Sequence, residues 1–431
     1  MKYINFKEID EKVLYEKLDN ELEVYILRKK NFNSETARFF TNFGGLDTEF
    51  TPINETKEVK MPSGIAHFLE HKLFEDPSGI SAEEYYSKTG AYVNAFTNYT
   101  TTCYYFVSTN NFEDNLNYLL DFVQTPHFTD ENVEKEKGII LEEAKMCLDN
   151  PSRLFSESIL SNLFTDIPYN NKIVGTLDDI KKITKEDLYT CYNTFYNPSN
   201  MKLFIVTNKK EEDVLKLVKD NQRKKTFIKE NSIKRKIYNE KDNVKKDYYE
   251  FKGKINENRI CYGLKIRKDN FSYSLEEVIN SISMYFDFLI GSLSDFNLEL
   301  KKNKIVNGNI SFNLENIDNY IIVKIYAFTN KKDEFISLLE DKFKHPNLNE
   351  KDFNNLKKIM KSSIFYNLNT VAGTMDFLYN EYMFFKDLSE ETLTKELNLS
   401  YEVYKIIINE INYDNKSVTY ITKEDNWQIN I

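Results

Sequence analysis

Short runs of apolar and aromatic residues alternate with polar ones along the first third of the chain. LEVYILR (22–28) and ARFFTNFGG (37–45) have the composition of strands, with Gly44 and Gly45 closing the second. In MPSGIAHFLEHKLF (61–74) the period changes: Ile65, Leu69 and Leu73 recur at four-residue steps, Pro62 suits a first helical turn, and the DPSG of 76–79 stops the pattern. A second short helix is predicted over 81–90, ending at Gly90. AYVNAFTNYTTTCYYFVST (91–109) then predicts two antiparallel strands that turn near Asn98.

Amphipathic helical spacing returns over 111–126, and Thr129 or Asp130 caps a longer helix running to the Asn150-Pro151 stop. Helices are expected over 152–165 and 184–196, a strand over 201–208 and a helix over 211–221. Beyond them, 260–266 and 309–328 read as strands, with long helical patterns over 274–302 and 349–389. The fold class is therefore α+β (α/β-mixed), with sheets covered by helices. The expected organisation is an N-terminal domain over 1–225, a lysine-rich, solvated linker over 226–247, and a C-terminal domain over 248–431. Similar element order in the two halves hints at a duplicated unit.

Composition narrows the function. The 431 residues suit two to four domains, and 41% apolar residues supply enough material for several cores. With 58 basic against 68 acidic residues the net charge is −10, which argues against a nucleic-acid partner. No apolar window reads as a signal peptide or a membrane span. The four cysteines, Cys103, Cys147, Cys191 and Cys261, have no CxxC spacing and suit a reducing compartment, so the expectation is cytoplasmic, with no membrane partner.

Two of the four histidines stand in HFLEH, at His67 and His71. Residues four apart share one face of a helix, so both imidazoles can reach one ion. Glu70 lies beside them as a base rather than a ligand. Zinc in a hydrolytic site takes three protein ligands and keeps one position open, so a third ligand must come from elsewhere. The helix over 131–150 offers Glu136, Glu142 and Glu143. Glu136 and Glu143 are seven apart, two turns along one face, which Glu142 leaves. Glu143 is read as the ligand and Glu136 as the outer carboxylate that orients a histidine. Chance alone would place an HxxEH in roughly 0.003 chains of this composition. His127 and His345, each next to a proline, read as turn residues, and Cys147 as a small buried hydrophobe.

HFLEH followed 72 residues later by Glu143 in EKEKGIILEEAKM resembles the pitrilysin and mitochondrial-processing-peptidase class of zinc metallopeptidases, the inverzincins. GIAHFLEHKLFE, NAFTNYTTTCYYF, Gly175-Thr176 and FYNPSNM fall in that family's order, and the small bacterial YmfH-like subunits are the nearest likeness. The resemblance implies two similar domains, each an antiparallel-rich sheet backed by helices, forming one half of a peptidase clamshell. It implies Zn²⁺ on His67, His71 and Glu143, Glu70 as catalytic base, Glu136 behind the ligands, and Asn94, Ala95 and Phe96 on the edge strand that takes an extended peptide. In active members the C-terminal half supplies an Arg and, seven residues on, a Tyr. Here Lys301 and Gly308 stand in those places. The expected partners are thus a peptide substrate and a homologous subunit without zinc that brings the missing groups, or else a second copy of the chain. The expected activity is endoproteolysis of short or unfolded peptides in an enclosed chamber. The rival readings are a non-catalytic assembly subunit and a dedicated leader-peptide peptidase.

Overall fold

The computed structural model describes residues 1–75, 80–228, 233–292, 294–344 and 349–424. The DPSG stop at 76–79 and His345 lie outside the described residues. The chain forms two compact units. One comprises Met1–Cys147, Asn171–Tyr238 and Tyr366–Asn380, and the other Leu148–Asn170, Asn239–Phe365 and Glu381–Ile431.

The first unit is built on a seven-stranded sheet in the order Lys2–Phe6, Glu11–Lys17, Glu23–Arg28, Met201–Thr207, Glu35–Thr41, Thr102–Ser108, Tyr92–Thr97. Only the Glu23–Arg28 and Met201–Thr207 pair is parallel; the other neighbours are antiparallel. Alternation sends Val24, Ile26, Phe39, Leu203 and Ile205 into one core with the helices Ile65–Leu73 and Phe112–Val123. The opposite face gathers Tyr25, Phe40 and Phe204 in edge-to-face contact. The distant segment 366–380 belongs to this unit: Tyr379 packs against Phe40, Phe377 against Phe6, and Asp376 pairs with Arg38 at 2.6 Å.

The second unit is built on a five-stranded sheet in the order Tyr248–Gly253, Lys416–Lys423, Arg259–Arg267, Tyr320–Phe328, Ser311–Ile317. Its first pair is parallel and the rest are antiparallel. In both sheets the last strand lies parallel to an earlier one, Glu23–Arg28 in the first unit and Tyr248–Gly253 in the second, and is followed across the sheet by an inner strand and a hairpin ending at the edge. The faint hint of duplication thus has a topological counterpart. This unit draws the helix Pro151–Leu163 from early in the chain, with Asn162 Nδ2 donating to Thr419 Oγ1 at 3.1 Å and Leu163 lying over Gly263.

Several elements depart from the sequence reading. The helical pattern over 274–302 is two helices, Leu275–Ile290 and Asp295–Lys302. That over 349–389 is also two, Glu350–Asn367 and Val371–Phe385. Pro62 precedes its helix rather than occupying the first turn, because Gly64, left-handed at φ +87°, starts Ile65–Leu73. The segment read as a solvated linker contributes structure as well. Lys234–Arg235 pairs with Glu49–Thr51, Arg235 Nε donates to Asp47 Oδ1 at 2.7 Å, and the carboxylate of Glu240 is buried.

Glu240 meets Lys265 at 2.7 Å with both side chains almost wholly shielded from solvent, and accepts from the backbone N–H groups of Thr165, Asp166 and Ile167 at 2.8 Å each. Burial pushes its carboxyl group towards the neutral form, but Lys265 and the three amides outweigh that and hold it below the usual range. Removing one partner of such a pair leaves a buried charge uncompensated. Glu240→Gln is therefore expected to destabilise the chain by about 3 kcal/mol in urea unfolding, and the double change Glu240→Gln/Lys265→Met by less. Because the folded-state carboxyl is the stronger acid, its contribution should be present at neutral pH and be lost as the pH falls through the carboxylate range.

Candidate metal centre

The helix Ile65–Leu73 carries both motif histidines. Ile65, Leu69 and Leu73 are buried, as the four-residue spacing requires. Its start is fixed by a backbone contact. A Cβ on Gly64 would stand 2.6 Å from the Cα of Gly175, itself at φ +91°, so neither position accepts a side chain without displacement. Ser63 Oγ donates to Asp179 Oδ2 at 2.7 Å, and Thr176 caps the short helix Leu177–Lys182. The Gly175-Thr176 pair noted in the sequence thus anchors the histidine helix.

The imidazoles of His67 and His71 lie 4.6 Å apart between ring centroids. Glu143, on the helix Asp130–Leu148, approaches His67 Nε2 at 3.6 Å with one carboxylate oxygen and His71 Nε2 at 3.6 Å with the other. Ligand atoms placed tetrahedrally around zinc at its usual bond lengths are roughly 3.4 Å apart, so the spacing suits one ion between them. Among the described residues, these three form the group of His, Cys, Asp and Glu donors close enough for a metal, all within 4.8 Å of one another. Two imidazole nitrogens and one carboxylate suit zinc.

Glu136, two turns before Glu143, accepts from His71 Nδ1 at 3.0 Å. That fixes the ring with Nε2 turned to the centre. Burial pulls the His71 imidazole down in pKa, but Glu136, Glu70 and Glu143 together raise it above its ordinary value. Glu142 and Glu134 instead face outward, paired with Lys145 and Lys137. Cys147 is buried.

Glu70 stands outside the donor group. Burial raises its carboxyl to about 6, opposed by a hydrogen bond from Thr97 and the nearby His71, and reinforced by Glu143. Thr97 belongs to the edge strand Tyr92–Thr97, where side chains alternate. Ala95 packs towards the core with the histidine helix, whereas Phe96 meets Tyr379 and the exposed Asn94 bonds Tyr92. Asn94, Ala95 and Phe96 therefore do not share a face. The same alternation, two residues beyond Ala95, marks Thr97 as the strand's contact with Glu70. Period-two reading of NAFT could have found it.

Two models of one family match the chain: Insulinase (Peptidase family M16) over residues 54–177, and the Peptidase M16 inactive domain over 182–360. The chain belongs to the M16 peptidase family. The zinc protease YmfH of Bacillus subtilis, itself uncharacterized, is 46% identical over 54% of this M16 chain and 55% of that relative. An uncharacterized zinc protease of Rickettsia felis is 32% identical over 37% and 39% of the two chains. In these alignments the chain spans about half the length of the curated relatives it matches, or less. A crystal structure of an M16-like protein from Alicyclobacillus acidocaldarius is 27% identical with a TM-score of 0.86, covering 96% of this chain and 99% of that one. The fold is thus the two-domain M16 fold. No helix among the described residues is long and apolar enough to cross a membrane.

Partners that orient a ligand histidine strengthen metal binding by their own hydrogen bond. Glu136→Gln is expected to weaken Zn²⁺ binding roughly 10–100-fold in competition with a colorimetric chelator, while the unfolding midpoint of the metal-free chain stays close to wild type.

Proposed function

We propose that this M16 chain is a zinc-dependent endopeptidase, the catalytic subunit of a heterodimer, acting in the cytoplasm on short or unfolded peptides inside an enclosed chamber. The observation that carries the reading is the convergence of His67 Nε2, His71 Nε2 and both Glu143 oxygens at 3.6 Å, with Glu70 left outside that set. His67, His71 and Glu143 would hold the zinc ion, which would supply a Lewis acid for the peptide carbonyl and for activating water near neutral pH.

The chain's own groups do the rest. Tyr92–Thr97 ends its sheet, so its free edge can take an extended peptide by strand addition and hold it beside the histidine helix. Glu70 takes a proton from the attacking water on a carboxylate oxygen and passes it to the nitrogen of the leaving amine. Glu136 keeps His71 in the tautomer that presents Nε2. The partner proposal rests on what stands at 301 and 308. Lys301 Nζ donates to Asn309 Oδ1 at 2.6 Å, and Gly308 has no side chain, so neither offers the paired donors expected to stabilise the oxyanion. A homologous subunit without zinc would supply them.

Purified protein should hold about one zinc ion per chain by mass spectrometry, and Glu143→Gln should lose it. A peptide-cleavage assay with and without the sister protein tests the assembly. Full activity from the isolated chain would sink the heterodimer, and absence of both zinc and cleavage would sink the enzyme. Glu70→Gln is expected to keep its zinc and lose roughly 10²–10⁴-fold in kcat.

A further inference from the structure

The strand Tyr92–Thr97 ends its sheet, and backbone alternation decides which of its groups look outward. Asn98 N–H donates to the Thr101 carbonyl at 2.9 Å across the hairpin turn. Asn98, and by alternation Phe96, Asn94 and Tyr92, therefore turn their backbone groups to the neighbouring strand Thr102–Ser108, where Asn94 stands directly opposite Tyr105. Val93, Ala95 and Thr97 turn theirs to the free edge. The middle one of these outward N–H groups is engaged by the chain itself: Ala95 N–H donates to Asn94 Oδ1 at 2.8 Å. We propose that Asn94 sets how strongly this edge takes a peptide, because its carboxamide covers the central backbone donor and must swing away before an incoming strand can pair there. The proposal rests on the reading of Tyr92–Thr97 as the peptide's seat.

The carboxamide is held at both of its ends. Its Nδ2 donates to the Tyr92 hydroxyl at 2.8 Å, and the Tyr105 hydroxyl, one strand in, hydrogen-bonds that of Tyr92 as well. The two tyrosine rings also meet, with centroids 6.4 Å apart. These contacts fix which way the amide lies, since the reverse assignment would set Nδ2 against the Ala95 N–H, donor against donor. Tyr92, Asn94 and Tyr105 share the sheet face opposite Ala95, which packs towards the core with the histidine helix. The side chains that hold the cover thus face away from the metal centre.

An open edge strand is a template for any extended chain, and proteins blunt such edges. Here the blunting is local and reversible. Releasing the Ala95 N–H requires only rotation about the side-chain bonds of an exposed asparagine, with the backbone left in place. A peptide carbonyl then takes over that donor, and the freed carboxamide returns to water, so the exchange by itself gains little. A chain that pairs along the whole edge adds the bonds of Val93 and Thr97 and displaces the cover. A chance contact at one residue adds none and is turned away. Asn94 in this role determines specificity for extended segments without touching the reacting atoms.

Asn94→Ala removes the cover and leaves the strand. Residue-resolved hydrogen exchange on the full chain without peptide is expected to show the protection factor of the Ala95 amide falling about 3–10-fold in this variant. An unchanged factor overturns the proposal. Binding is read by the fluorescence anisotropy of a fluorescein-labelled, proline-free peptide rich in valine and threonine, on Glu70→Gln with the sister subunit so that the probe stays intact. Adding Asn94→Ala is expected to lower Kd about 3–10-fold. A raised Kd, as a carboxamide that itself grips the peptide would give, overturns the proposal, and so does an unchanged one. Tyr92→Phe withdraws the hydroxyl behind Asn94 and should lower Kd about twofold, with the double variant going no further than Asn94→Ala alone. Additive effects overturn it. Saturating peptide should slow exchange at Val93, Ala95 and Thr97 together. Peptide that binds without slowing them removes the strand-addition reading, and the role of Asn94 with it, even where the free-chain factor at Ala95 falls as expected.

Discussion

A helix of nine residues is too short to hold itself together in water, and everything at the metal centre depends on what holds Ile65–Leu73 in place. Its apolar stripe is buried against the sheet. At its start, two glycines at positive φ press backbone to backbone, with Ser63 hydrogen-bonded to Asp179 just before them. At its end, Lys72 is buried and pairs with Glu75, which also meets Lys135 of the helix that carries Glu143. These contacts come from three separated stretches of chain. Together they set the distance between the imidazoles and the carboxylate to within the span of one ion.

The electrostatics of the site follow from that placement. Glu70, Glu136 and Glu143 crowd around two imidazoles, and the proximity of Glu143 helps to raise the Glu70 carboxyl. Such a concentration of acids is costly in a partly buried place, and a divalent cation bound there would offset it. What separates the three roles is direction. Glu143 points both oxygens at the Nε2 atoms, Glu136 binds the far side of the His71 ring, and Glu70 is drawn towards the edge strand by Thr97. The residues that aim these groups, rather than carboxylate chemistry as such, distinguish the acids proposed as ligand, orienting group and base.

Much of this was legible in residue order. The HFLEH spacing, the period of Ile65, Leu69 and Leu73, and the aromatic, threonine-rich hairpin all announced their elements, because local periodicity and turn chemistry suffice there. The strands Lys2–Phe6, Glu11–Lys17 and Lys416–Lys423 were missed. Charged and polar residues interrupt or flank their few apolar positions, so short strands of that kind look like surface loops. Which acid of the long helix faces the histidines could be narrowed by spacing, and alternation along NAFT marks Thr97 as inward-facing, but its partner Glu70 lies across space and not along the chain. Glu240 was hidden for the same reason. A lysine-rich segment reads as solvated until the three backbone amides that meet its one buried acid are seen.

Each unit borrows a helix from a remote part of the chain, Pro151–Leu163 for the five-stranded sheet and the stretch 366–380 for the seven-stranded one. The gene therefore has no point near its middle where it could be divided into two self-sufficient products. A protein ending near residue 240 would leave Phe6 and Phe40 of the first sheet without Phe377 and Tyr379, a greasy surface inviting aggregation. If an ancestral single-unit gene was once copied in tandem, that trade of helices had to arise after the copies were fused. It would then have made the fusion hard to reverse, welding two ancestral modules into one inheritable whole.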